Sequence, residues 1–218
     1  KRARKPKAPK EHDWYRLALS KKASPSNQTP LIDIIIPVYK GYDDTLRSIY
    51  NAVIAPNNVP TEIIVINDYS PDKALVRTLN RLAGMGLFTY LENKKNLGFV
   101  KTVNRGLQLN PERDCIILNA DCVVYGSYAD RLHDVARSKP KIATVTPLTN
   151  NGELCSYPLA WHDNVWRNEV RDAQLNELCF QVNGNQSVEV PTGVGFCMYI
   201  NRDVMKEIGF FDAERFGR

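Results

Sequence analysis

Continuous apolar runs alternate with stretches of helical periodicity from Leu31 to Thr146, and few folds accommodate that alternation. Ile32–Val38 is apolar except at Asp33 and rich in β-branched residues. A strand that is apolar on both sides needs cover on both faces, the situation of a central strand in a parallel sheet. Leu46, Ile49, Tyr50, Val53 and Ile54 then follow i, i+3, i+4, i+7, i+8 spacing, so a helix capped by Asp43 or Asp44 comes next and stops at Pro56. Glu62–Asp68 reads as a second strand. Ser70, with Pro71 at the first helical position, opens a helix through Leu75, Leu79 and Leu82 that closes near Gly84 and Gly86. A third strand is expected over Leu87–Leu91. A third helix has Phe99, Val103, Gly106 and Leu107 inward and Pro111 as its stop, and a strand then runs to Asn119. Tyr128, Leu132, Val135 and Ala136 mark a further helix before Pro140, and Ile142–Thr146 a further strand. Elements in this order with short connections predict an α/β fold, a mostly parallel central sheet with helices on both faces.

The pattern loosens after Pro147. Residues 149–187 are polar and aromatic, with one candidate helix near 164–180. A lid or an acceptor-side insertion has this character, and so does a long surface loop. Strand character returns over Val188–Ile200, interrupted by Pro191–Gly195, and Val204, Met205 and Ile208 suit a short helix ended by Gly209.

A chain of 218 residues can bury one sizeable core. Its net charge of +5 is unevenly placed: residues 1–10 carry six positive charges and no acid, which leaves −1 for the other 208. The basicity therefore belongs to a tail rather than to a nucleic-acid-binding face. Residues 1–30 read as a basic linker, with electrostatic attachment to an anionic membrane surface or a nucleic-acid arm as the other options. A short helix over His12–Leu19 can dock within it by Trp14 and Leu17. No run approaches the ~20 apolar residues that cross a bilayer. Five cysteines without CxxC spacing argue against a zinc cluster or a disulfide framework, and point to a reducing cytoplasm, free or at the inner face of the membrane.

Chemistry-bearing residues gather at the predicted strand ends. Pro37, Val38 and Tyr39 follow the first strand, Asn67 to Asp72 the second, and Asn119, Ala120 and Asp121 the fourth. In a parallel sheet these C-terminal ends share one edge, where ligands bind. Asp121 can hold a divalent cation against a phosphate, since Mg²⁺ and Mn²⁺ take one or two carboxylates plus substrate phosphates. A strand-terminal Asp is also a common turn residue. A helix N-terminus at Gly98, beside Asn96 and with Lys101 in its first turn, is a phosphate site in waiting.

Five segments, DIIIPVYKGYDDTLRSI, EIIVINDYSPD, NKKNLGFVKTVNRGL, IILNADCVV and VPTGVGFCMYINRDVMKEIGFFDAERFG, stand in this order. Together they resemble the family 2 glycosyltransferases of GT-A fold over Leu31 to Arg218. The resemblance implies a Rossmann-like nucleotide-sugar-binding half over residues 31–147 and an incomplete acceptor-side region over 148–218. It implies transfer of a sugar from a UDP-, dTDP- or GDP-sugar to a hydroxyl of a saccharide or lipid-linked acceptor, with inversion and a Mn²⁺ or Mg²⁺ ion, in polysaccharide biosynthesis. Pro37 and Tyr39 would flank the base, Asp68 would accept from the base or ribose, and Asn96 and Gly98 would lie near the nucleotide. Asn119, Ala120 and Asp121 match the metal motif with Asp121 as ligand. Asn119 replaces its first acid, so Asp121 is the only carboxylate there. Thr192 and Gly193 match the loop that shapes the acceptor side. Trp161, with His162 and Trp166, can stack on a sugar or form the private core of a long loop. The family's catalytic base is expected beyond Arg218, in a longer multidomain chain, and Asp212 reads as a turn or cap residue.

Rival readings are a non-catalytic GT-A-like binding or scaffolding module, a sugar-nucleotide pyrophosphorylase and a Rossmann dehydrogenase. The pyrophosphorylase lacks its Gly-rich basic loop after the first strand, and no GxGxxG follows any strand.

Overall fold

The computed structural model describes residues 7–23, 28–164, 172–184 and 186–216. Six strands form one sheet in the order β3-β2-β1-β4-β6-β5. Strands β1 (Ile32–Val38), β2 (Thr61–Asn67), β3 (Thr89–Glu92) and β4 (Asp114–Leu118) run parallel, as the sequence predicts. Strand β6 (Cys197–Ile200) is antiparallel to both β4 and β5 (Thr144–Val145), and enters the sheet between them.

Alternate residues of each central strand feed different cores, which is why the runs are apolar on both sides. Ile32, Ile34, Ile36 and Val38 of β1 face one core with Val65, Ile116 and Leu118. Helices α2 (Tyr42–Ile54), α3 (Lys73–Gly84) and α5 (Tyr128–Ser138) cover that face through Leu46, Ile49, Leu75, Leu79 and Leu132. Ile35, Ile64, Ile66 and Ile117 face the other core, under Val103 and Leu107 of α4 (Phe99–Leu107) and Met205 of α7 (Arg202–Ile208). Asp33 shares the second side but lies at the N-terminal strand end, fully buried, where Asn110 and Arg113 donate to it at 2.8 and 2.9 Å.

Close approach on the second face explains one glycine. A Cβ at Gly106 of α4 would stand 2.7 Å from Ile35 Cγ2. Gly106→Ala is therefore expected to destabilise the fold by about 1–2 kcal/mol, since overpacking outweighs the gain in helix propensity. Urea unfolding checks this, and an unchanged or raised midpoint would contradict it.

Several boundaries differ from the sequence reading. The α2 N-cap is Gly41, at φ 98°, and Asp43 and Asp44 sit inside the first turn. The α3 N-cap is Asp72, whose Oδ1 accepts from the N–H groups of Ala74 and Leu75, so Ser70 and Pro71 belong to the preceding turn. Phe99, expected inward, is 46% exposed at the first position of α4. Only Cys197–Ile200 of the expected 188–200 strand pairs, and α6 spans Asp172–Asn183 rather than 164–180. Within the region read as a linker, Glu11–Ala23 forms a 13-residue helix, α1, with Trp14 inside the first core and edge-on to Tyr50 at 5.0 Å between centroids. Residues 1–6, with most of the basic tail, lie outside the described residues. Among those described, no helix is long and apolar enough to cross a membrane, and all five cysteines are unpaired.

Candidate donor-binding edge

Parallel pairing of β2, β1 and β4 carries the segments after Val38, Asn67 and Leu118 to the same edge of the sheet. Val38 pairs with Asn67, and the Val38 carbonyl accepts from Asp68 N–H at 2.8 Å. The Val38 side chain is buried in the first core, so Val38 positions Tyr39 rather than meeting a ligand. Pro37 is half-buried, and Tyr39 is 41% exposed with the Lys40 ammonium over its ring.

Asp68 is almost fully buried, and its carboxylate is already engaged by the chain. Oδ1 accepts from Asn93 Nδ2 at 2.8 Å and Leu97 N–H at 2.7 Å, and Oδ2 accepts from Gly98 N–H at 2.9 Å. A carboxylate has about four acceptor positions, so three are filled from within. Asn93 is held in turn: Nδ2 also donates to Thr102 Oγ1 at 2.9 Å, and Oδ1 accepts from Arg105. This buried network fixes the 93–98 loop against the end of β2. Asn96 Oδ1 shares the Gly98 N–H, and Gly98 caps α4 at φ 80°, the left-handed region that favours glycine. Lys94, Lys95, Asn96 and Lys101 are exposed around this turn. The helix N-terminus and its lysines make a basic rim suited to phosphate. The sequence reading missed Lys94, Lys95 and the Asn93–Arg105 support; an Asn directly after a strand, followed by two lysines, was the available signal.

Neighbouring side chains brace the same turn. Asn67 Nδ2 donates to the Tyr90 hydroxyl, and Asn67 Oδ1 accepts from Ser70 N–H, both at 2.9 Å. Burial pushes the Tyr90 phenol up to about 12, so it stays neutral here.

After β4 the Asn119 N–H donates to the Phe196 carbonyl at 2.8 Å, and the Asn119 carbonyl accepts from Ser48 Oγ at 3.2 Å. Asn119 Oδ1 is buried, and no donor reaches it among the described residues. Ala120 packs half-buried on the first core, and Asp121 is exposed at the edge. Among the described residues no three His, Cys, Asp or Glu side chains gather as a metal cage. The side-chain contact at the Asp121 carboxylate is the Cys122 thiol, 3.9 Å from Oδ1, so a lone exposed carboxylate here fits a hard cation shared with a diphosphate, not one held by protein alone.

Phe196 links this edge to Thr192 and Gly193. An open hollow of about 490 Å³ is lined by Gly152, Glu153, Thr192, Gly193 and Phe196. Trp161 donates its N–H to the Glu153 carbonyl at 2.8 Å and holds its side chain 68% exposed, which is not the private core of a loop. His162 is also exposed, and Trp166 lies outside the described residues. Asp212 Oδ1 accepts from Glu214 and Arg215 N–H, the geometry of a turn residue.

The fold has counterparts among known proteins. N-acetylgalactosaminyltransferase 7 of Drosophila melanogaster is 22% identical over 198 residues, covering 84% of this chain and 33% of that protein. The solved structure of GalNAc-T7 with UDP, GalNAc and Mn²⁺ superposes with a TM-score of 0.57 at 19% identity, over 83% of this chain and 36% of that one. Mannosyltransferase PcManGT from Pyrobaculum calidifontis, solved with GDP-Man and Mn²⁺, superposes at 0.52 and 18% identity, over 92% and 54%. The chain thus spans about a third of the curated relative's length. The fold is of the GT-A glycosyltransferase type. The family model "Glycosyl transferase family 2" matches residues 33–209, most of the sheet and all of the donor edge, and the chain belongs to that family.

Proposed function

We propose that this chain carries the donor half of a glycosyltransferase that moves a sugar from a nucleoside diphosphate to a hydroxyl acceptor, cation-assisted and with inversion. The observation that carries it is the shared edge: an exposed carboxylate after β4, and a basic Gly98 turn locked by Asp68 after β2. Asp121 would hold the cation, which when bound supplies positive charge to the departing diphosphate. The α4 N-terminus and Lys101 would bind phosphate oxygens, Tyr39 and Pro37 would face the base, and Asp68 would keep the loop in register with them. Thr192, Gly193 and Trp161 would border a saccharide or lipid-linked acceptor around the Glu153 hollow, next to the donor edge through Phe196. Support comes from family membership and from the UDP and GDP-Man ligands in the names of the two structural relatives. A single in-line displacement inverts the anomeric carbon, and the configuration of the product by NMR checks that step in the whole enzyme.

Calorimetric titration of UDP, dTDP and GDP with and without Mn²⁺ tests the reading. At least one is expected to bind more tightly with Mn²⁺. Asp121→Ala is expected to abolish that gain, a loss of about tenfold or more in affinity, or ~1.4 kcal/mol. No heat with any nucleoside diphosphate would overturn the proposal. The lone carboxylate in the metal motif also favours a second reading, a non-catalytic binding module. Nucleotide binding that is unchanged in Asp121→Ala would select it.

A further inference from the structure

Tyr69 stands directly after Asp68 at the donor edge and has a backbone φ of 57°. Left-handed backbone is costly for a residue with a Cβ and persists only where the surroundings over-determine it. Here they do. Asp68 is fastened by three donors on its N-terminal side, and Ser70 N–H donates to Asn67 Oδ1 on the other. Ser70 Oγ accepts from Asp72 N–H, and Asp72 caps α3. The polar side chains at 67, 68, 70 and 72 are thus consumed in holding the turn, whereas the Tyr69 side chain is 57% exposed. Packing does not explain the strained tyrosine. Its position does, because β1–β2 pairing sets Val38 beside Asn67 and brings Tyr69 to the same edge as exposed Tyr39. Among the described residues the two rings make no contact with each other, and whereas the Lys40 ammonium lies over Tyr39, no ring or cation covers Tyr69, which leaves its face free for a planar ligand.

We propose that Tyr69 is a nucleobase-contact residue, its ring presented by a strained turn as an aromatic wall of the donor site. The inference rests on the donor-edge reading above. Aromatic stacking tolerates any base, so Tyr69 would add affinity for the nucleoside rather than choose among pyrimidines and purines.

The test uses Tyr69→Gly, because glycine adopts this backbone without strain. A packing role would lower thermal stability in the variant. A ligand-facing role predicts an unchanged or raised melting temperature together with weaker nucleotide binding. With Mn²⁺ and the nucleoside diphosphate that the wild type binds, Kd is expected to rise about tenfold or more. Tyr69→Phe should stay within about twofold of wild type, and inorganic pyrophosphate should bind wild type and Tyr69→Gly alike, since neither change touches the phosphate turn. Equal nucleotide affinity in Tyr69→Gly and wild type, or a lowered melting temperature in the variant, overturns the Tyr69 assignment alone. A wild type that binds no nucleoside diphosphate overturns the donor-edge reading and this inference with it.

Discussion

Trp14→Ala is expected to lower the stability of the folded chain by about 3–5 kcal/mol, the range for removing a buried indole. Trp14 is 2% exposed, and Trp14 and Ala18 are the two buried residues of α1. The indole stands edge-on to Tyr50 of α2, at 87° between ring planes, in a geometry that adds to the area it buries. Three further bonds hold this segment: Lys21 Nζ donates to the Leu87 carbonyl at 3.3 Å in a part-buried position, while Glu11 with Arg81, and Ala8 N–H just ahead of α1 with Asp43, pair at the surface. Exposed pairs of this kind contribute little, so the indole decides whether the helix stays docked. A loss of that size shifts the melting temperature of a chain this long by roughly 6–20 °C. Limited proteolysis should at the same time cut within residues 7–23, because a helix with one remaining buried alanine opens locally before the sheet unfolds. A change below about 1 kcal/mol, with no new cleavage, would show that α1 is an appendage and not part of the core.

What could be read from the sequence follows from which forces are local. The central strands are legible because burial on both faces demands unbroken apolar runs, and Ile32–Val38 and Ile116–Leu118 supply them. The helix spacing from Leu46 to Val53 is legible for the same reason. The α3 cap was misplaced by two residues because Ser70, Pro71 and Asp72 all suit a helix start, and only the three-dimensional turn shows that Asp72 receives the two N–H groups. The insertion of β6 between β4 and β5 was not legible, since pairing of Leu118 with Cys197 joins segments almost eighty residues apart without local periodicity. Strand order alone brings the motif residues to one edge of the sheet, but it does not tell which of them face the core and which the solvent. Val38 is apolar wherever it points, and only burial shows that it faces the core. Nothing local singles out Tyr69 within the Asn67–Asp72 run, because its turn is fixed by bonds to Asp68 from residues 93, 97 and 98, far along the chain.

That same set of bonds makes Asp68 the residue whose loss should couple stability to binding. Asp68→Ala removes a buried acceptor from three donors, and Leu97 N–H is left without the oxygen it meets at 2.7 Å. Gly98 N–H keeps Asn96 Oδ1, and Asn93 Nδ2 keeps Thr102 Oγ1, so the damage centres on the start of the loop rather than on α4 itself. Charge-assisted bonds contribute about 1.5–3 kcal/mol each, and a stranded buried donor costs about 1–3. With partial rescue by the remaining acceptors, a net loss of about 3 kcal/mol is expected. Asp68→Asn retains an oxygen for Asn93 and Leu97 while turning an NH₂ group toward Gly98 N–H, so its loss should be smaller, about 1–2 kcal/mol. Nucleotide affinity should fall in the same order, by about tenfold or more for Ala, because an unfastened 93–98 loop no longer holds Lys94 and Lys95 beside the α4 N-terminus for a phosphate. The graded pairing of the two readouts is what identifies a loop-positioning carboxylate. Were Asp68 instead a ligand contact only, both variants would lose affinity at wild-type stability, and denaturant midpoints measured beside calorimetric titrations separate the two cases.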